Sequence, residues 1–298
     1  MPKPLHHRDS HAADEQPIPG HQLLTSIDRA EMERLLADEA WLLQPKFDGV
    51  RVRLESRTGA RPRGISRTGK PITLPQTVVD ATLSLPSRLV LDGELIGDDY
   101  ICFDLLQYGD NAIWRLACEF RISYIEAIWG GKNPPRRILP VVSAFGVQDK
   151  QTLYRSIHEN GLEGVVFKRR DAAYSGGRPN SGGPALKFKF VNTCSVIVAQ
   201  QRGAKRSVEI KLADDTPVGS VTIPPNQEIP KAGQIIEVEY LYRHDIGGDL
   251  IQAVYRGVRR DIRRAECTAA QLHTKGSMRM PSNQGKPTLE IVAPKGKK

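Results

Sequence analysis

After Phe190 the chain changes character, and that change limits its fold more than any other feature. CSVIVAQ, SVEIKLA, GSVTIP, GQIIEVEYLYR and DLIQAVYRGVR follow one another with polar or glycine-bearing connections between them. Five short, β-branched segments of this kind predict a small all-β barrel such as an OB-fold, with a sandwich as the other arrangement of the same pattern. The residues before it read differently. DRAEMERLLADEA has a helical apolar stripe at Met32, Leu35 and Leu36, and Asp28 and Glu31 are spaced as a capping box. WLLQPKFDGVRVRLES then reads as two strands around an FDG turn. SRLVLDGELIGDDYICFDLL reads as another pair, with Asp92 and Glu94 near the turn. Helices are expected over 113–128 and 150–159, and strands return at GVVFKR and ALKFKF. The pattern predicts a flexible lead over residues 1–20, a mixed domain over 21–190, the barrel over 191–262, and a basic, mobile tail over 263–298.

Composition excludes several classes. Lys and Arg number 43 against 34 Asp and Glu, a formal charge of +9 that favours a polyanionic partner. From Arg263 onward the chain holds eight basic and two acidic side chains, and this run is the main source of the excess. Cys102, Cys118, Cys194 and Cys267 lie too far apart for a close-spaced zinc site or a dense disulfide scaffold. No apolar run is long enough to span a bilayer, and the first residues lack the apolar stretch of a secretory signal. These features predict a soluble, cytoplasmic protein that makes no membrane contact. His6, His7 and His11 read as an exposed lead rather than a metal site.

The chemistry gathers in a few segments. Gly64, Gly69 and Lys70 have the spacing of a phosphate-binding loop, but Pro71 stands where a Mg²⁺-holding hydroxyl belongs and no helical stretch follows, so the segment reads as a basic turn between strands. In KFDGVR, Gly49 permits a tight turn, and Lys46, Asp48 and Arg51 crowd together. A lysine placed beside other cations loses its proton more readily and can act as a nucleophile. Glu163 stands at the entrance to a strand, and Lys187 and Lys189 share one face at the two-residue period. Two lysines on one face call for an anion between them. Carboxylates can hold a divalent metal against phosphate while cations neutralise its oxygens.

The ordered series KFDGVR (46–51), SRTGKPI (66–72), LDGEL (91–95), FDLL (103–106), EGVVFK (163–168), LKFK (186–189) and RGVRRD (256–261) resembles the covalent nucleotidyltransferases, and within them the compact viral and bacterial ATP-dependent DNA ligases. The resemblance covers residues 41–261. It implies an α+β nucleotidyltransferase (ATP-grasp-like ligase adenylation) domain followed by an all-β OB-fold. It also implies sealing of 5′-phosphate/3′-hydroxyl nicks through lysyl-AMP and DNA-adenylate, with ATP and Mg²⁺ as cofactors (Mn²⁺ able to substitute), acting as a monomer on nicked duplex DNA. Lys46 resembles the lysine that takes up AMP, with Asp48 and Arg51 as its motif partners. Gln44, Phe103 and Val166 resemble the adenine contacts, Arg67 the nick-phosphate contact, and Glu94 and Glu163 the ribose and metal carboxylates. Lys187 and Lys189 resemble the α-phosphate contacts, and Arg259 and Asp261 the barrel pair that orients pyrophosphate. Ile262 stands where many relatives carry lysine, no long insertion interrupts the barrel strands, and too little precedes the core for a large helical DNA-binding domain. An RNA ligase with the same chemistry, an mRNA guanylyltransferase, or an OB-fold nucleic-acid-binding protein with a degenerate catalytic domain are the rival readings.

Overall fold

The computed structural model describes residues 17–85, 88–129, 136–180, 182–244 and 248–274. The chain begins with strand β1 (Thr25–Ser26) and helix α1 (Arg29–Ala37). Asp28 caps α1 by accepting the Glu31 N–H at 2.9 Å. The reciprocal half of the expected capping box is absent, because the Glu31 carboxylate pairs with Arg34 at 2.8 Å instead. At the other end of α1, the buried Lys150 ammonium donates to the carbonyls of Leu35 (2.9 Å) and Asp38 (2.6 Å), placing a cation on the negative end of the helix.

Strands β2 (Trp41–Lys46), β3 (Val50–Ser56), β4 (Arg63–Ser66) and β5 (Pro71–Ile72) follow, then α2 (Gln76–Leu83), β6 (Leu89–Ile96) and β7 (Asp99–Tyr108). The stretch from Ile113 is not one helix as expected. It is a single 3₁₀ turn (Ile113–Arg115) followed by α3 (Cys118–Trp129), separated by an extended Leu116 whose carbonyl accepts from Arg121 at 2.6 Å. Next come β8 (Ile138–Pro140), α4 (Val147–Glu159), β9 (Gly164–Arg169) and β10 (Ala185–Lys189). The GISRTGKP segment runs from β4 through a tight turn at 67–70 into β5, which leaves no helix N-terminus to cradle phosphate.

These elements form two sheets, β1-β10-β9-β2 and β5-β4-β3-β6-β7-β8, antiparallel except for the β1/β10 and β7/β8 pairs. One apolar core lies under the six-stranded sheet, around Leu54, Leu91, Tyr100 and Ile122. A second packs α1 and α4 against the four-stranded sheet, around Met32, Leu35, Leu43, Ile157 and Phe167. Beyond Phe190, β11 (Asn192–Gln201), β12 (Ser207–Lys211), β13 (Pro217–Thr222), β14 (Ile235–Tyr240) and β15 (Val254–Arg259) build a five-stranded antiparallel sheet ordered β13-β12-β11-β14-β15. The sheet curls until its edge strands β13 and β15 meet, enclosing a third core of Val196, Val208, Val221, Ile236 and Val238.

Both expected ends need correction. Residues 17–20 belong to the fold, since Ile18 packs beside Val90 and Tyr174 and the Pro19 carbonyl accepts from Arg53 at 3.3 Å. The basic tail does not begin at Arg263. Cys267 is fully buried and its carbonyl accepts the Ala213 N–H at 2.8 Å. The Gln271 side chain also grips both backbone groups of Ser195 at 2.9 Å. This segment supplies hydrogen-bond partners to β11 that would otherwise be left unmade. Residues 1–16, with His6, His7 and His11, and the tail from Lys275 lie outside the described residues.

Candidate active site

A cavity of about 420 Å³ opens between the four-stranded and six-stranded sheets. Its walls come from alternate residues of facing strands. Gln44 and Lys46 lie two apart on β2, Val166 and Lys168 two apart on β9, and Asp92 and Glu94 two apart on β6. Lys187, Arg51, Phe103 and, on the β4–β5 turn, the exposed Arg67 also line it. Asp92 and Glu94 therefore sit within a strand and not at its turn, which falls after Ile96.

Lys46 ends β2. Its ammonium contacts Glu163 Oε2 at 2.6 Å, while Lys189 contacts the other carboxylate oxygen at 2.7 Å. One carboxylate thus separates two cations, and Lys187 lies alongside. Burial, then the nearby charges of Lys189, Lys46 and Arg178, lower the pKa of Lys187. Gly164, paired with both Lys46 and Lys189, makes this convergence possible. A Cβ there would stand 2.1 Å from the Phe188 carbonyl oxygen, so only glycine lets β10 approach so closely. Gly49 does the same for the KFDG turn, where a Cβ would meet the Leu95 carbonyl oxygen at 2.3 Å. Across the cavity, burial pushes the Glu94 carboxyl up to about 7, against the opposing charges of Lys46 and Arg51 and a hydrogen bond from the Gly49 N–H.

Arg51 forks onto the fully buried Asp92 at 2.6 and 3.1 Å and donates to the Gln22 carbonyl at 2.6 Å. Burial alone would raise the pKa of Asp92, but Arg51 and His21 hold it well below the usual carboxylate range. Tyr174 donates a 2.6 Å hydrogen bond to the same carboxylate, and the His21 ring stands between Asp92 and the Ser66 carbonyl, 3.1 Å from the latter. Phe103 owes its position to a bulge. Asp92 pairs with Asp104 and Gly93 with Cys102, so Phe103 is the extra residue of β7. Its ring has the Arg51 guanidinium carbon at 5.3 Å and the Lys168 ammonium at 5.2 Å, within cation–π range. Lys168 also donates to the Phe103 carbonyl (2.7 Å) and to Asp104 (3.0 Å), which Arg121 grips from behind at 2.7 Å. Gln44 is buried beside Val166 with its amide donating to Ser143 Oγ at 2.9 Å.

The structure thus brings Gln44, Lys46, Arg51, Arg67, Glu94, Phe103, Val166 and Lys187 to one cavity, with Glu163 and Lys189 joined to it through Lys46. Asp48 lies in the turn below and accepts from Tyr242, in the connection that follows β14. Arg259 and Asp261 do not reach the cavity. They form an exposed forked pair at 2.7 and 2.8 Å, and Arg259 also contacts Glu237 at 2.8 Å. Sequence reasoning missed His21, Gln22, Lys168, Tyr174 and Tyr242. Of these, only Lys168 carried a signal, its place two residues beyond Val166 on the same strand face.

No protein-family model matches the chain. It is similar to DNA ligase C2 of Mycolicibacterium smegmatis, with 28% identity over 194 residues, covering 53% of this chain and 52% of the relative. The chain therefore spans about half the length of the curated relative it matches. Among solved structures it superposes on a Lig E DNA ligase, described as binding DNA with a minimal scaffold, with a TM-score of 0.61 and 16% identity over 82% of this chain and all of the other. A structure designated Pmar-Lig_PreS3 gives the same TM-score at 18% identity, covering 82% of this chain and 68% of its own. At these identities the likeness to the solved structures is one of fold. Among the described residues, no helix is long and apolar enough to cross a membrane.

Proposed function

We propose that this chain is an ATP-dependent DNA ligase, built from a nucleotidyltransferase domain and an OB-fold, that seals 5′-phosphate/3′-hydroxyl nicks in duplex DNA. The observation that carries the reading is Lys46, held by Glu163 at the edge of a nucleotide-sized cavity whose other walls are an aromatic ring, a valine and a set of cations. In the first step the Lys46 amine, its proton passing toward Glu163, attacks the α-phosphorus of ATP. A P–N bond forms, the bond to the β-phosphate oxygen breaks, and pyrophosphate leaves. An oxygen of the DNA 5′-phosphate then displaces the lysine from AMP. Finally the 3′-hydroxyl attacks that phosphate and AMP departs. Each step is a phosphoryl transfer that needs alignment and charge neutralisation more than covalent help.

The remaining residues divide that work. Gln44, Phe103 and Val166 take the base, Arg51 and Glu94 the ribose side, Lys187 and Lys189 the α-phosphate, and Arg67 the nick phosphate. Mg²⁺ commonly takes one or two protein carboxylates together with substrate phosphates and water. Among the described residues no cluster of three metal-ligating side chains exists. Glu94, which lines the cavity, and Glu163, which pairs with Lys46, fit that sparser donor set and would hold the ion, whose charge would offset that of the phosphates; Mn²⁺ suits the same oxygens. Arg259 and Asp261 do not line the cavity, and the resemblance alone gives them the orientation of pyrophosphate. The excess positive charge suits the duplex backbone, with weak sequence preference, and the protein acts as a monomer in the cytoplasm.

Incubation with α-labelled ATP and Mg²⁺ should place one AMP on the protein through an acid-labile bond. Lys46→Ala should abolish that labelling yet leave some sealing of pre-adenylated nicks. AMP mapped to another lysine overturns the assignment. Sealing of nicked RNA in preference to nicked DNA would turn the reading to an RNA ligase.

A further inference from the structure

The chain between β14 and β15 brings the OB-fold onto the catalytic charges. Its two arms are pinned by the Leu241 N–H on the Ile251 carbonyl (3.0 Å) and the Ile251 N–H on the Tyr242 carbonyl (2.9 Å), so Tyr242 and Gln252 emerge side by side. Tyr242 is buried, and its hydroxyl donates to Asp48 in the KFDG turn. Burial, reinforced by Asp48 itself, pushes the phenol up, which keeps it a donor at any pH near neutrality. Gln252 accepts from the Lys189 ammonium at 2.8 Å. Its backbone lies at φ 54°, a left-handed conformation that side chains other than Asn and Asp seldom adopt. Sparsely populated backbone of this kind persists where the surroundings fix it and often marks function.

The two contacts fall at opposite ends of one chain of charges. Asp48 follows Lys46 by two residues. Lys46 meets Glu163, Glu163 meets Lys189, and Lys189 meets Gln252. An ammonium has three N–H donors. With one on Glu163 and one on Gln252, Lys189 keeps a single donor for an incoming phosphate oxygen.

We propose that Tyr242 and Gln252 are positioning residues, through which the seating of the OB-fold fixes the KFDG turn and the Lys189 ammonium around the nucleophile. The proposal rests on the ligase reading for its effect on rate, but the positioning itself can be read without ATP. Tyr242→Phe removes one hydroxyl, and Gln252→Met keeps the length while removing the acceptor. Each variant should slow single-turnover adenylation of Lys46 about five-fold, the size expected for one lost hydrogen bond, with KM for ATP and the melting temperature little changed. Without nucleotide, amide exchange over residues 47–50 should quicken in Tyr242→Phe, and Lys189 should label faster with an amine-reactive reagent in Gln252→Met.

Wild-type exchange, labelling and adenylation in both variants would overturn the proposal. So would a fall in melting temperature with the adenylation rate unchanged, the mark of a purely structural contact. Should Tyr242→Phe fail to fold, the exposed Gln252 still decides the matter. If the wild-type protein takes up no AMP, the ligase reading fails while the exchange and labelling results still judge the positioning.

Discussion

Asp104 shows how a single side chain supports the cavity without entering it. It is fully buried, with Arg121 on both oxygens and Lys168 on one. Burial alone would push its carboxyl up, but the two cations hold it below the ordinary 3.8. A carboxyl depressed on folding contributes stability that is complete above its unfolded pKa and is lost as pH falls through its folded one. Asp104→Asn would strand two buried cations, at a cost of about 3–5 kcal/mol. Urea unfolding over a pH series should show that gap in full near neutrality, narrowing below pH 3.8. A gap independent of pH would mean the carboxylate is not ionised in the folded protein. Lys168 would also lose its anchor, so KM for ATP should rise as Phe103 loosens. Little of this hub could be seen in the sequence. Arg121 is 17 residues from Asp104 and Lys168 is 64 away, so nothing local links them.

Among the elements, the pairing of β9 with β10 controls the site, and Gly164 controls the pairing. A methyl group there meets a backbone oxygen at 2.1 Å, which no rotamer change can relieve. Gly164→Ala should cost about 3 kcal/mol by overpacking, pry Lys189 from Glu163, and depress adenylation beyond the loss of folded protein. Chemical denaturation alongside the labelling assay would separate the two effects; unchanged stability would show that β10 can yield. These strands were legible because GVVFKR holds a short apolar run rich in β-branched residues and ALKFKF alternates. Helix α2 was not, since it starts at Pro75 with no side-chain cap and offers only eight residues. The bulge that turns Phe103 into the cavity was equally hidden, because a bulge is a mismatch between two strands and appears in neither one alone.

For the whole molecule, electrostatics and the chain ends matter most. Residues 277–298 carry five basic side chains and one acidic. If they touch the duplex, removing them should weaken binding to nicked DNA chiefly at low ionic strength and flatten the dependence of log K on log salt, with adenylation spared. An unchanged slope would leave the tail without an electrostatic role. The barrel strands were readable in the sequence, but the packing of Cys267 and Gln271 against them was not, because it depends on a few lone contacts and no repeated pattern. The opposite end of the chain bears on how the protein is made in the laboratory. The Gln22 carbonyl accepts from Arg51, the Leu23 N–H donates to the Gly177 carbonyl, and β1 runs parallel to β10. A recombinant version trimmed to begin at α1 would retain every motif from KFDGVR onward and look intact to any alignment. It would nevertheless lack the strap that holds an active-site guanidinium in place, so the trimming point that looks safest on paper is the one to avoid.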